Sequence, residues 1–107
     1  MAIDAKAMAT PQVLTGRFTS ASSAADVTET LGFQPTVVIV FLAIGATSPN
    51  MIVKCAAEAD ESMLTTGSTG VITTPADTSG VTLTSTGFTV VAGVQTNDGV
   101  NTWIAFR

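Results

Sequence analysis

Hydrophobic and polar residues alternate in short stretches along most of the chain, and turn-forming residues separate these stretches. The clearest stretch runs from Phe88 to Gln95, where Phe88, Val90, Ala92 and Val94 share one face of a period-two strand. Clusters of Gly, Pro, Asn, Asp and Ser recur between the stretches at the spacing of a β-sandwich or barrel. The pattern predicts strands over 12–19, 25–31, 36–44, 50–57, 70–74, 81–85, 88–95 and 100–106.

These elements predict an all-β protein, an antiparallel, jelly-roll-like β-sandwich of about eight short strands. Asn97-Asp98-Gly99 predicts a tight hairpin between the last two strands, because Asp-Gly is a strong hairpin signal. Residues 58–65 are predicted to form a short helix or an acidic loop. Residues 1–10 contain nothing that would order them without a partner, so we expect a flexible N-terminal arm followed by one β-sandwich domain over 11–107.

The strand predicted over 36–44 is apolar at every position from Val37 to Ile44 rather than at alternate positions. One face of each strand in a two-layer sandwich points away from the core, so one face of this strand needs other cover. Either the chain itself covers that face, through a loop or the N-terminal arm, or another protein does.

The C-terminal strand also alternates, and Ile104 and Phe106 are predicted to point inward. Trp103 then lies on the outer face as a contact residue or belongs to the core, and the sequence leaves both alternatives open. A protein interface that uses the arm, the apolar strand and the tryptophan would comprise Ile3, Met8, Val38, Val40, Leu42 and Trp103.

Composition limits the classes of function. Hydrophobic residues make up 46% of the 107 residues and charged residues 11%, which excludes a disordered chain and disfavours a helical one. The 19 threonines suit the solvent-facing side of a sheet. The four Lys and Arg residues form no cluster and the net charge is −4, so we expect no nucleic-acid partner. The longest apolar run, 37–46, is about half of the ~20 residues of a membrane helix, so we expect no membrane partner.

Residues that could carry out chemistry are scarce. The chain has no His and one Cys, which excludes Ser-His-Asp and Cys-His catalysis and most zinc sites. It contains neither a Gly-x-Ser-x-Gly elbow nor a phosphate-binding loop. Glu58, Asp60 and Glu61 form either a solvated acidic loop or a calcium site, and the loop is favoured. We therefore expect no enzyme activity, no catalytic residues, no cofactor and no metal.

Four short motifs occur in a fixed order over residues 13–107. They are Gly16-Arg-Phe-Thr19, Leu31-Gly-Phe-Gln-Pro-Thr-Val-Val-Ile-Val40, Thr86-Gly-Phe-Thr-Val90 and Trp103-Ile-Ala-Phe-Arg107. Their order and spacing resemble a module of tailed-bacteriophage virion proteins. That module occurs as small capsid decoration proteins and as repeats or tip domains of tail and fibre proteins.

The resemblance implies an antiparallel β-sandwich in a phage particle, with no catalytic residues to carry over. It leads us to expect a capsid decoration (cement) protein, made in the host cytoplasm, that binds the major capsid protein on the outer surface of the head. Self-association into a homotrimer is left open. The alternative is a tail or fibre-tip module that binds a host-surface receptor through loops 45–50, 66–70 and 75–80. A carbohydrate-binding module is a weaker alternative, because the chain has no Tyr and a single Trp.

Overall fold

The computed structural model describes residues 12–43, 50–58, 60–65 and 71–107, and within them the chain forms two antiparallel sheets. The strands are β1 Val13–Thr19, β2 Val27–Thr30, β3 Val37–Leu42, β4 Asn50–Cys55, β5 Met63–Thr65, β6 Ile72–Thr73, β7 Val81–Thr84, β8 Gly87–Val90 and β9 Val100–Phe106. The larger sheet has the order β1-β9-β3-β4-β5-β6 and the smaller sheet the order β2-β8-β7. The predicted all-β, antiparallel, two-sheet fold is confirmed. The predicted arm lies outside the described residues, as do Ile3 and Met8.

The hydrophobic core lies between the two sheets. The larger sheet contributes Val38, Val40, Leu42, Ile52, Trp103 and Ala105, and the smaller sheet contributes Val81, Phe88 and Val90. The rings of Phe88 and Trp103 meet edge to face, with centroids 5.2 Å apart and planes at 77°. This contact joins the central strand of the smaller sheet to β9 in the larger sheet, so it links the two layers through their largest side chains.

The face of β9 that packs against the core is the opposite of the predicted face. Trp103 and Ala105 are buried, whereas Ile104 and Phe106 are half-buried on the other side, so the prediction that the latter two point inward is wrong. Gly16 on β1 pairs in register with Trp103. A Cβ at this glycine would lie 2.4 Å from the indole ring, so the glycine leaves the space in which the indole packs.

The amide of Asn101 joins several segments at one end of the sandwich and is completely buried. Its Oδ1 accepts a hydrogen bond of 2.8 Å from the Ala43 N–H. Its Nδ2 donates to Ser20 Oγ at 3.0 Å and to the Gly99 carbonyl at 3.2 Å. Ser20 Oγ in turn donates to Gln95 Oε1 at 2.9 Å. The buried polar groups at this end therefore satisfy one another.

Replacing Asn101 with alanine should lower the free energy of unfolding by about 1–3 kcal/mol, because it leaves buried donors and acceptors without partners. Urea denaturation measures this loss. Asn97→Ala is the matched control, since Asn97 is exposed and its Oδ1 accepts one hydrogen bond of 2.9 Å from the Ala24 N–H. Equal losses in the two variants would contradict the role given to the buried amide.

The strand predicted over 88–95 ends early, at Val90, and the 3₁₀ turn Ala92–Val94 follows it. Asp26 Oδ1 accepts a hydrogen bond of 2.8 Å from the first N–H of this turn. Gln95 Nε2 donates to the Val90 carbonyl at 3.0 Å. These side chains bind main-chain groups that a longer strand would pair with a neighbour, so tertiary contacts end the strand.

The turn at Asp98 and Gly99 forms, but the predicted hairpin is wrong. Asp98 has a φ of 58°, and the Gly99 N–H donates to the Thr96 carbonyl at 2.9 Å. The Asp98 N–H donates to the Ala21 carbonyl at 3.0 Å, which holds the turn against the segment that follows β1. Because β8 and β9 belong to different sheets, this turn lies on a connection between the two layers.

Residues 58–65, predicted as a helix or an acidic loop, follow a turn at 55–58 and end in the strand β5. This strand pairs with β4, so the prediction missed one strand of the larger sheet. Lys54 projects from β4 into the turn, is 2% exposed, and donates from Nζ to the carbonyl of Glu58 and, at 3.0 Å, to that of Glu61. The turn thus closes around an ammonium group of its own chain.

Candidate functional site

The side of the larger sheet that faces away from the smaller sheet is largely apolar, and we call it the outer face. Alternate residues of its strands share this face, because burial alternates along β3, β4 and β9. Register arranges the side chains in three rows across four strands. The rows are Val13, Phe106, Val37 and Cys55; Thr15, Ile104, Ile39 and Val53; and Arg17, Thr102, Phe41 and Met51.

The corresponding side of the smaller sheet has a different chemistry. Its outward side chains are threonines, apart from one glycine, in two rows set by the strand register. The rows are Thr28, Thr89 and Thr82; and Thr30, Gly87 and Thr84. Thr28 Oγ1 and Thr89 Oγ1 hydrogen-bond at 2.8 Å across the strands. Threonine suits a solvent-facing sheet, so the larger sheet alone presents an apolar side.

The structure places four of the six interface residues proposed from sequence on the inner side of the larger sheet. Val38, Val40, Leu42 and Trp103 are 0%, 0%, 1% and 6% exposed and pack against the smaller sheet. This corrects the choice of face, since a partner can reach β3 from the opposite side only. Because β3 is apolar on both sides, its sequence contains no signal that distinguishes them.

A hollow of about 450 Å³ opens on the outer face, where the small side chain of Thr102 lies between two larger ones. Arg17 and Phe41 flank it, and Thr15 and Ile104 complete the wall on that side. A second hollow, of about 370 Å³, lies between β4 and the turn that follows it, and Val53 and Cys55 contribute to its lining. The outer face therefore has relief into which side chains of a partner can fit.

The acidic segment of residues 58–61 gives no sign of metal binding in the described part of the chain. Its main-chain carbonyls bind Lys54, as described above, and the side chains of Glu58, Asp60 and Glu61 are exposed. Among the residues with described positions, no group of three or more His, Cys, Asp or Glu side chains could hold a metal ion. In the same residues, no helix has the length and apolar character to cross a membrane.

Glu29 on β2 is a charged residue on the inner side of an edge strand. It pairs in register with Phe88 and, unlike its exposed neighbours Thr28 and Thr30, is half-buried. Burial raises the pKa of Glu29 above its usual value of 4.5. The folded protein therefore holds the proton of this carboxyl more tightly than the unfolded chain does, and the charged form carries a cost when the protein folds.

Replacing Glu29 with glutamine should raise the Tm at neutral pH, because it removes that cost. The cost disappears as the pH falls through the raised pKa, so the two proteins should have similar Tm values well below pH 4.5. Thermal unfolding across this pH range measures the difference. Glu58→Gln makes the same substitution at an exposed side chain and serves as the control. A Tm difference for Glu29→Gln that does not change with pH would contradict the prediction.

The chain was also compared with known proteins. No protein-family model matches it. Searches of curated proteins and of solved structures likewise found no match.

Proposed function

We propose that this chain is a structural protein of a tailed-bacteriophage particle, a decoration protein that attaches to the outer surface of the head shell. In this proposal it acts by binding and not by catalysis, and its contact surface is the outer face. The observation that carries the proposal is the contrast between the two exposed sheet sides. One is threonine, as expected of a surface in water, and the other is apolar at nine of the twelve positions in its three rows.

An apolar sheet side of this size favours docking onto another protein surface. Full burial of a Val, Ile, Phe or Met side chain contributes about 1.5–3 kcal/mol, and the outer face holds several such side chains, half-buried before docking, at neighbouring register positions. The described strands form two layers only, so no third sheet of the described residues covers this face. Contiguous apolar patches on soluble proteins commonly mark interaction sites. A head shell is built from many identical copies of one protein, so it would present a docking position for this face many times.

Placement in a phage particle is supported by the resemblance of the four motifs. Three of them meet in one core contact, formed by Gly16, Phe88 and Trp103. Leu31, from the remaining motif, packs against the same core. The motif residues therefore contribute to one core, and the placement in a phage particle rests on the resemblance of the motifs.

The copy number per particle tests the proposal, and quantitative mass spectrometry of purified virions measures it. We expect a number close to that of the repeating sites on the head shell. Purified protein added to heads that lack it should bind and saturate at the same number. A few copies per particle would instead support the tail or fibre-tip module. Absence from the virion would contradict a role in the particle. Failure of the purified protein to bind heads would contradict a role on the shell.

A further inference from the structure

β1 forms an edge of the larger sheet, with β9 on one side and no strand of the described residues on the other. Its seven residues pair with β9 in an unbroken register. The Arg107 N–H donates to the Gln12 carbonyl at 2.9 Å, and the Ser20 N–H donates to the Gly99 carbonyl at 2.8 Å. Hydrogen-bonded residues alternate along an antiparallel pair, so even-numbered residues of β1 bond to β9. The main-chain groups that point outward belong to Val13, Thr15, Arg17 and Thr19.

This edge has few of the features by which proteins protect sheet edges, and Arg17 is the one charged side chain on β1. Within the described strands, β6 has two residues and the edge strands of the smaller sheet have four each, and β2 carries the inward-pointing Glu29. Short edges and inward charges both discourage strand addition. β1 is longer, contains no proline or bulge, and has exposed apolar side chains at Val13 (56%) and Leu14 (36%). It is therefore the described edge best suited to receive another strand.

We propose that two copies of this chain pair through β1, antiparallel and related by a two-fold axis at Gly16. In this register Val13 of each copy opposes Thr19 of the other, and Thr15 opposes Arg17. All these residues point their main-chain groups outward, so each opposed pair can exchange two hydrogen bonds. The strand is thus complementary to itself, as a two-fold symmetric contact requires.

The side chains agree with this register. Arg17 opposes a threonine and not itself, so the two guanidinium groups are not placed directly opposite each other. On the inner side Leu14 opposes Phe18, which places an exposed aliphatic side chain beside an aromatic one. Shifting the register by two residues to oppose Arg17 with Arg17 would lose both features.

The pairing would also enlarge the outer face. Odd-numbered side chains of β1 lie on the outer face in both copies, so the two outer faces become one continuous surface. With strands about 4.8 Å apart and rows about 6.8 Å apart, one outer face covers about 400 Å² in projection. Two cover about 800 Å² in projection, twice the area that one copy offers to a partner. The use of this enlarged surface for docking rests on the proposed function, whereas the pairing of the two β1 strands does not.

Sedimentation of the full chain over a wide range of concentration tests the pairing, and we expect a species of twice the monomer mass. Thr15→Pro removes an outward N–H without breaking a bond to β9, and edge strands tolerate proline at such positions. This variant should lose the dimer, while Thr15→Val, which keeps the N–H, should retain it. A wild-type protein that remains monomeric, or a folded Thr15→Pro variant that still dimerises, would overturn the proposal.

Amide hydrogen exchange of the wild-type protein gives a second test, which does not depend on the folding of a variant. The amides of Val13, Thr15, Arg17 and Thr19 should exchange slowly at high protein concentration and quickly on dilution, whereas those of Leu14, Gly16 and Phe18 stay protected at both. A dimer in which the first group exchanges quickly would place the interface elsewhere and overturn the proposal. Slow exchange of that group in a monomer would show that the chain covers its own edge, and would also overturn it.

Discussion

A variant with Ile39→Lys and Ile104→Glu should bind heads at least about tenfold more weakly than the wild-type protein. The two isoleucines are neighbours in register at the centre of the outer face. Both side chains are half-buried before docking, so each burial lost removes only part of the about 1.5–3 kcal/mol of a full burial, and 1.4 kcal/mol corresponds to a tenfold change in affinity. The new charges would also lose their hydration on docking. Binding to heads that lack the protein, followed by quantitation of bound copies, measures the effect.

The variant is designed to leave the fold intact, so that a loss of binding reports on the surface. Both side chains are on the solvent side of their strands, and opposite charges directly across two strands attract. Thr28→Lys with Thr89→Glu is the matched control, because these residues are also register neighbours, on the outward side of the smaller sheet. The control should bind as the wild type does. Equal loss in both double variants, or binding unaffected by the first, would contradict docking through the outer face.

Replacing Phe88 with alanine should lower the free energy of unfolding by about 3–5 kcal/mol. Phe88 is completely buried in the central strand of the smaller sheet and contacts the indole of Trp103. The substitution removes a large apolar side chain, leaves a cavity between the sheets and ends the aromatic contact. Since domains are stable by about 5–15 kcal/mol in total, a large share of the stability would be lost. Denaturant unfolding monitored by Trp103 fluorescence measures it.

Phe106→Ala is the control for this prediction, because it removes the same side chain from the half-buried outer face of the larger sheet. We expect a clearly smaller loss of stability there, since water already reaches this ring. If the two alanine variants were equally destabilised, Phe88 would not be the centre of the core. The same pair of variants separates core packing from docking, because Phe106→Ala should weaken binding to heads more than it weakens the fold.

Local pattern was sufficient to predict most strands of this protein. The stretches at 12–19, 36–44 and 100–106 each contain a strand of the larger sheet, because turn residues bound them and β-branched residues fill them. Other features depended on contacts made over long sequence distances. β5 was missed because its strand is only three residues long and follows an acidic turn held by Lys54.

The candidate site also separates what local pattern predicts from what depends on long-range contacts. The apolar run of β3 revealed that one side of the strand needs cover beyond the core, but not which side. Val38 and Ile39 are equally apolar, so their side-chain chemistry does not show which of them faces the core. The side that faces the core is set by the register with β4 and β9 and by packing against Phe88 in the smaller sheet.

The sequence by itself determined the class of fold, the position of most strands and the surplus of apolar surface. These follow from side-chain periodicity, which acts over a few residues. Only the tertiary structure decided the order of the strands, the inward position of Trp103 and the identity of the outer face. Trp103 points inward because Gly16, far away in sequence, pairs with it and leaves room for the indole. Such contacts depend on which strands become neighbours, and local periodicity contains no information about that.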